Sequence, residues 1–296
     1  MKWLRRLAKL VGVLALVLVV LSLIPIIHVE WQVHEARNPA TAISDPVAQD
    51  PPDARPVLIL LHGAGLNGHM WDAVRRSLDP AYRVVAPDLP GHGADREGTY
   101  TLEGARGLIA AEARAVFPSP VILVGDSLGG YSAMAAASAI PASQLKGVVI
   151  AGSSGNFKGS KLSSYVGGLL LVRALLLFND ENRLAERALG NFPLSQADDR
   201  AMIAAGVNLR AVAPAARSLF GVDFRAKVAA IDAPVLIVNG TLDRNAVDQE
   251  QSFLAAAKHG TLLHFDNCEH GVSMRRPAEF AAAVNAFTAR VTQKAP

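Results

Sequence analysis

From about residue 57 onward the chain alternates between short apolar runs and longer stretches of helical spacing. The runs are Val57–Leu61, Arg83–Ala86, Val121–Val124, Gly147–Ala151, Val235–Val238 and Leu262–Phe265. Each is continuously apolar rather than alternating, the pattern of strands buried on both faces of a parallel sheet. Intervening segments such as Met70–Leu78 and Leu128–Ile140 are helix-like. This strand–helix alternation predicts an α/β domain built on a doubly wound, mostly parallel sheet.

One interval breaks the rhythm. Between about Gly152 and Asp232 no strand is legible, and Tyr165–Phe178, Glu181–Leu189 and Asp198–Val212 are predicted to be helical. The interval is an insertion between two strands, long enough for a helical cap over about 153–228. Tyr165–Phe178 is strongly apolar, with Arg173 inside it, and is too short to span a membrane. It suits either the wall of a substrate cavity or an ordinary packed helix. There are no internal repeats.

The N-terminus follows a different pattern. Lys2, Arg5, Arg6 and Lys9 precede eighteen uncharged residues, Leu10–Ile27. No small-x-small cleavage site follows directly, and Ala40-Thr41-Ala42 lies too far downstream, so an uncleaved signal anchor fits better than a cleaved peptide and a secreted product. Trp3 and Trp31 bracket the run about 42 Å apart if it is helical, close to the full bilayer thickness. A buried core helix would not carry four cations at one end and none inside. Residues 1–31 are therefore expected to form a transmembrane anchor and 32–56 a linker rich in Pro, Asp and Ala. Residues 57–296 form the α/β domain, placed outside the cytoplasm, on the periplasmic side in a bacterium, because the cations stay inside.

Composition adds little beyond this. The 296 residues are 51% hydrophobic and 19% charged, with a formal charge of +3. Removing the four leader cations leaves 25 basic against 26 acidic residues, a balance of −1. The body has no basic stripe and no electrostatic case for nucleic acid. Cys268 is the one cysteine, which rules out an intrachain disulfide.

The chemistry concentrates at strand ends. Gly125-Asp126-Ser127-Leu128-Gly129 follows the run Val121–Val124 and opens a small-residue helix. A G-x-S-x-G in that setting is a nucleophile elbow: the turn is sharp, a Cβ at the flanking positions would strike backbone, and Ser127 is held above the sheet. His62-Gly63-Ala64-Gly65 follows the first run, where a loop completes an oxyanion hole; the N–H groups of Ala64 and Leu128 are the candidate donors. Gly63 and Gly65 let backbone approach a substrate, and Asp126 borders the same place. Asp243 follows the fifth run and can orient a histidine; Asp248 is a fallback and Asp232 a poor one, since it precedes the strand. His270, in Cys268-Glu269-His270-Gly271, is the one histidine in a loop after the last strand, whereas His62 and His92 precede the serine and His264 lies within a strand. Ser143-Gln144-Leu145-Lys146 matches S-x-x-K but lacks its companion motifs and leads into a strand. No metal motif, Walker loop or dinucleotide fingerprint is present, and no metal or cofactor is expected. Cys268 reads as a small buried filler.

The order Ser127, Asp243, His270 and the turn Pro87-Asp88-Leu89-Pro90-Gly91-His92-Gly93 together resemble the α/β-hydrolase family. The likeness is to its small lidded members related to bacterial carboxylesterases, carbon–carbon bond hydrolases and haloperoxidase-like enzymes, over about Arg55 to Val291. The resemblance implies a cap over the site and hydrolysis of a small-molecule ester or related acyl bond through a Ser–His–Asp triad and an acyl-enzyme. Carbon–carbon bond hydrolysis, acyl transfer, perhydrolysis or a silent binding protein on the same scaffold are the alternatives. Two departures stand out: Asp126 replaces the histidine that often precedes the nucleophile, and Asn245-Ala246-Val247 replaces a proline-bearing acid loop. A serine at the elbow argues against epoxide hydrolases and haloalkane dehalogenases.

Overall fold

The computed structural model describes residues 55–157 and 160–293. The expected anchor, and the linker up to residue 54, lie outside the described residues. Among the described residues no helix is long and apolar enough to cross a membrane.

Six strands, β1 (Val57–Leu61), β2 (Arg83–Val85), β3 (Val121–Asp126), β4 (Leu145–Ala151), β5 (Val235–Gly240) and β6 (Gly260–Phe265), form one sheet in the order β2-β1-β3-β4-β5-β6. Every neighbouring pair is parallel. The order reverses at β1: the chain first builds outward to β2, then crosses back to β3. Strand ends at such a reversal open a crevice above their C-terminal edge, where Leu61 and Asp126 both terminate.

The two faces of the sheet bury different side chains of the same strands. Val57, Ile59 and Leu61 pack on one face with α2 (Leu102–Ala115), α3 (Leu128–Ala136), α8 (Phe224–Ala229) and Phe253 of α9 (Arg244–Ala256). Leu58 and Leu60 pack on the other with Trp71, Val74 of α1 (Asp72–Arg75), and Phe280 and Val284 of α11 (Pro277–Thr292). This is why the central strands are apolar at every position: neither face sees water. The edge strands differ from the expectation of burial on both faces. β2 is only half-buried throughout and β6 exposes Thr261 and His264, because each lacks a neighbour on one side.

All nine residues of α3 are buried. Its Gly-Ala sequence lets the backbone lie close on the sheet: a Cβ on Gly129 would stand within bonding distance of the Leu61 carbonyl. Two helices differ from the sequence reading. Met70–Leu78 is a 3-10 turn, Gly68–Trp71, followed by the single turn α1. Asp198–Val212 is broken: α6 (Gln196–Gly206) stops where Gly206 takes φ +99° against the Gly93 carbonyl, and α7 (Val212–Leu219) starts a new direction. Asn208 holds the break, its Nδ2 donating to the Gly91 and Arg96 carbonyls.

Between β4 and β5 the described residues are helical, as expected: α4 (Ser160–Phe178), α5 (Glu181–Leu189), α6, α7 and α8. The middle of this insertion is tied to the loop after β1. Asn208 N–H donates to the Gly65 carbonyl, Asn67 Nδ2 to the Met202 carbonyl, and Arg76 grips Asp198 through two bonds of 2.8 and 2.7 Å.

Candidate active site

Ser127 joins β3 to α3 with φ 54° and ψ −116°, in the left-handed region that a serine occupies only when its surroundings compel it. They do so on three sides. Ser127 N–H donates to the Ala151 carbonyl at 2.8 Å, and Ser153 Oγ donates to the Ser127 carbonyl at 3.0 Å. A Cβ on Gly125 would fall 2.3 Å from Gly129 backbone, so only glycine fits there. The side chain stands at the N-terminal end of α3, where unpaired N–H groups carry partial positive charge.

The carboxylate and the imidazole come from adjacent strand ends. Asp243 follows β5 and caps α9, its Oδ1 accepting from Asn245 N–H at 3.2 Å. Its Oδ2 lies 2.6 Å from His270 Nδ1. A carboxylate can only accept, so Nδ1 carries the proton and Nε2 is left as the basic nitrogen. The two loops are held in register by Leu242 N–H donating to the Cys268 carbonyl, and a Cβ on Gly240 would strike that same carbonyl. Arg275 Nε donates to the His270 carbonyl at 3.0 Å, while its guanidinium pairs with Glu269 and lies 4.9 Å over the Phe192 ring.

Ser127 and His270 line one cavity of about 320 Å3. Among the described residues Ser127 Oγ makes no hydrogen bond, and the His270 side chain is nearly half-exposed. Gly63, Ala64, Leu128 and Asp126 line the same space; Gly65 does not. Instead Gly65, at φ +79°, is packed against Asn208 and Val212. Neither Ala64 N–H nor Leu128 N–H has an acceptor within the described residues, and both residues line the cavity.

The rest of the wall is mainly apolar: Leu66, Met70, Tyr131, Phe157 and Met274, with Phe192, Val212, Ala216 and Leu219 from the insertion. Asn156, Asn245 and Gln249 form a small amide edge, and no lysine or arginine is among the described residues that line it. Sequence reasoning did not single out Gly152, Tyr131, Asn156 or Phe192. Gly152 left a trace, a glycine directly after a strand-like run; the others left none.

Burial by itself would lower the pKa of His270, but the hydrogen bond and charge of Asp243 and the charge of Asp126 outweigh it and hold the imidazole above its ordinary value. Burial pushes the Asp126 carboxyl up, against the pull of His270 and Ser273. His62 has a different role. It is fully buried, and burial first, then His92, lowers its pKa to about 3. Its neutral ring accepts from Leu89 N–H through Nε2 and donates from Nδ1 to the Gly63 carbonyl, joining the loop after β1 to the turn at residues 87–93. His92 is likewise buried, and His264 pairs with Glu250 on the edge strand. Asp232 lies on the surface beside Lys258. Cys268 is buried, and burial raises its thiol pKa.

Comparison with known proteins places these observations in a family. A sequence model described as "Alpha/beta hydrolase family" matches residues 58–283. The chain is similar to the pimeloyl-(acyl-carrier protein) methyl ester esterase of Nitrosomonas europaea, 27% identical over 250 residues that cover 78% of this chain and 95% of that protein. The enzyme of the same description from Aromatoleum aromaticum is 29% identical over 247 residues, 78% of this chain and 97% of that protein. Among solved structures, a hydrolase from Pseudomonas aeruginosa superimposes with a TM-score of 0.65 at 25% identity, covering 81% of this chain and 92% of the other.

Proposed function

This chain belongs to the alpha/beta hydrolase family, and we propose that it is a carboxylic-ester hydrolase acting on a small, uncharged, mainly apolar substrate through Ser127, His270 and Asp243. The observation that carries the reading is the Asp243–His270 bond of 2.6 Å beside a cavity that Ser127 and His270 share. The ester chemistry of the relatives supports it.

In this mechanism His270 Nε2 takes the proton of Ser127 as Oγ attacks the ester carbonyl. Asp243 keeps the proton on Nδ1 and stabilises the imidazolium that forms. The free N–H groups of Leu128 and Ala64 receive the oxyanion, each contributing about 3 kcal/mol by the usual effect of such donors. The imidazolium then returns its proton to the departing alcohol. Water, activated by the same Nε2, cleaves the acyl-enzyme. The insertion over about 153–228 serves as the cap, with Phe192, Val212, Ala216 and Leu219 facing the acyl group. Residues 1–31 hold the body at a membrane, outside the cytoplasm, through the linker 32–56; protease added to spheroplasts would remove the body if this is right.

The test is hydrolysis of p-nitrophenyl esters of two to twelve carbons by the full chain in mild detergent. Turnover is expected to disappear in Ser127→Ala. A Ser127→Ala protein that keeps more than about a tenth of the rate defeats the assignment.

A further inference from the structure

We infer that Asp126 is a positioning residue for His270: clamped by Ser273, three residues beyond the histidine, its carboxylate ties the nucleophile elbow to the histidine loop and sets a second negative charge beside the imidazole. The inference rests on the serine-hydrolase reading above and gives a part to a group that the mechanism leaves idle.

Asp126 ends β3, immediately before Ser127, and is 1% exposed. A carboxylate buried this deeply costs several kcal/mol unless donors hold it. Ser273 supplies two, its Oγ at 2.5 Å and its N–H at 3.4 Å, both directed at Oδ2. Ser273 is itself wholly buried, between Val272 and Met274. The side chain next to the nucleophile is thus bonded to the turn that carries the base.

The charge balance around the imidazole gives the carboxylate its second role. Asp243 bonds His270 from the end of β5 at 2.6 Å, Asp126 at the end of β3 lines the same cavity as the imidazole, and Arg275 in the histidine's own turn donates to the His270 carbonyl. Arg275 is the one cation of the three, and its charge is shared with Glu269 at 2.7 Å. Two carboxylates therefore oppose one partly neutralised guanidinium. They favour the imidazolium that forms in the transition state, at the expense of the neutral base available at acid pH. A purely structural plug would need no charge: asparagine has the same shape, and its Oδ1 accepts from Ser273 equally well.

The experiment compares pH profiles of kcat/KM for wild type, Asp126→Asn and Ser273→Ala in the full chain, with a soluble ester. Asp126→Asn is expected to move the ascending limb to lower pH, raising the ratio of kcat/KM at pH 6 to that at pH 8 at least about threefold. Ser273→Ala, which keeps the carboxyl group and removes its hydroxyl donor, is expected to lower kcat several-fold at nearly constant KM. A folded Asp126→Asn enzyme whose limb coincides with wild type overturns the inference, as does a Ser273→Ala enzyme with unchanged kcat. If Asp126→Asn does not fold, Ser273→Ala decides. Failure of the underlying reading looks different: wild type without turnover, or Ser127→Ala with it.

Discussion

Gly152 lies directly against the ring of His270: a Cβ built on it would stand 2.9 Å from Cε1 and 3.0 Å from Nδ1, and 3.3 Å from Oδ2 of Asp243. The glycine also takes φ +59°, which disfavours any side chain there. Gly152→Ala is expected to push the imidazole off its bond to Asp243 and lower kcat on the order of tenfold or more, with KM little changed. Steady-state kinetics check this; a full-rate alanine enzyme would mean the ring is free to retreat.

The raised pKa of His270 fixes the sign of the pH dependence. The neutral imidazole is the base, and the protonated form is inactive. Activity should therefore fall as the pH drops, with the half-point above the ordinary imidazole value of 6.5. A profile of kcat/KM from pH 5 to 9 measures it. An ascending limb at or below 6.5 would show that burial, not the carboxylates, governs the group.

Stability should decline on acidification in two stages. His62 is neutral in the fold, with its pKa lowered from 6.5 to about 3, while the unfolded chain binds a proton below 6.5. Its contribution is thus lost progressively between those values, at up to about 1.4 kcal/mol per pH unit. Asp198, bonded to Arg76 and held at about 2 rather than 3.8, contributes above 3.8 and is lost as the pH falls toward 2. Arg76 is 59% exposed, so Asp198→Asn is expected to cost only about 1–2 kcal/mol at neutral pH. Urea unfolding between pH 2 and 7 would reveal both stages, the second absent from the variant.

Ala216 on α7 is buried and faces the cavity. Ala216→Leu fills part of its roughly 320 Å3. The variant should keep its rate on acetyl esters and lose at least about tenfold on octanoyl esters, because a methylene that no longer fits costs roughly 1–3 kcal/mol. Equal losses on both chain lengths would place the acyl group elsewhere.

The candidate elbow, acid and histidine could be picked out of the sequence because each is signalled locally. A sharp turn demands glycines at 125 and 129, and a functional side chain at a strand end follows a recognisable apolar run. The parallel sheet and the burial of β1, β3, β4 and β5 followed from the same runs. What stayed hidden depends on contacts between distant segments. Gly206 ends α6 because Gly93 lies beneath it, 113 residues earlier in the chain. Phe192 reaches the site only because Arg275 and Gly271 come to meet it. The surroundings of Gly65 were hidden for the same reason. Its lack of a side chain makes room for Val212 and Asn208.

The absence of lysine and arginine among the described residues of the cavity wall bears on the end of the catalytic cycle. Ester cleavage turns a neutral ligand into an anion. That anion is born next to Asp126, with no lysine or arginine on the wall to retain it. Like charges at this range repel strongly in a chamber of low polarity. The acid is therefore expelled as it forms, and the enzyme should run on through high conversion with little inhibition by its own product.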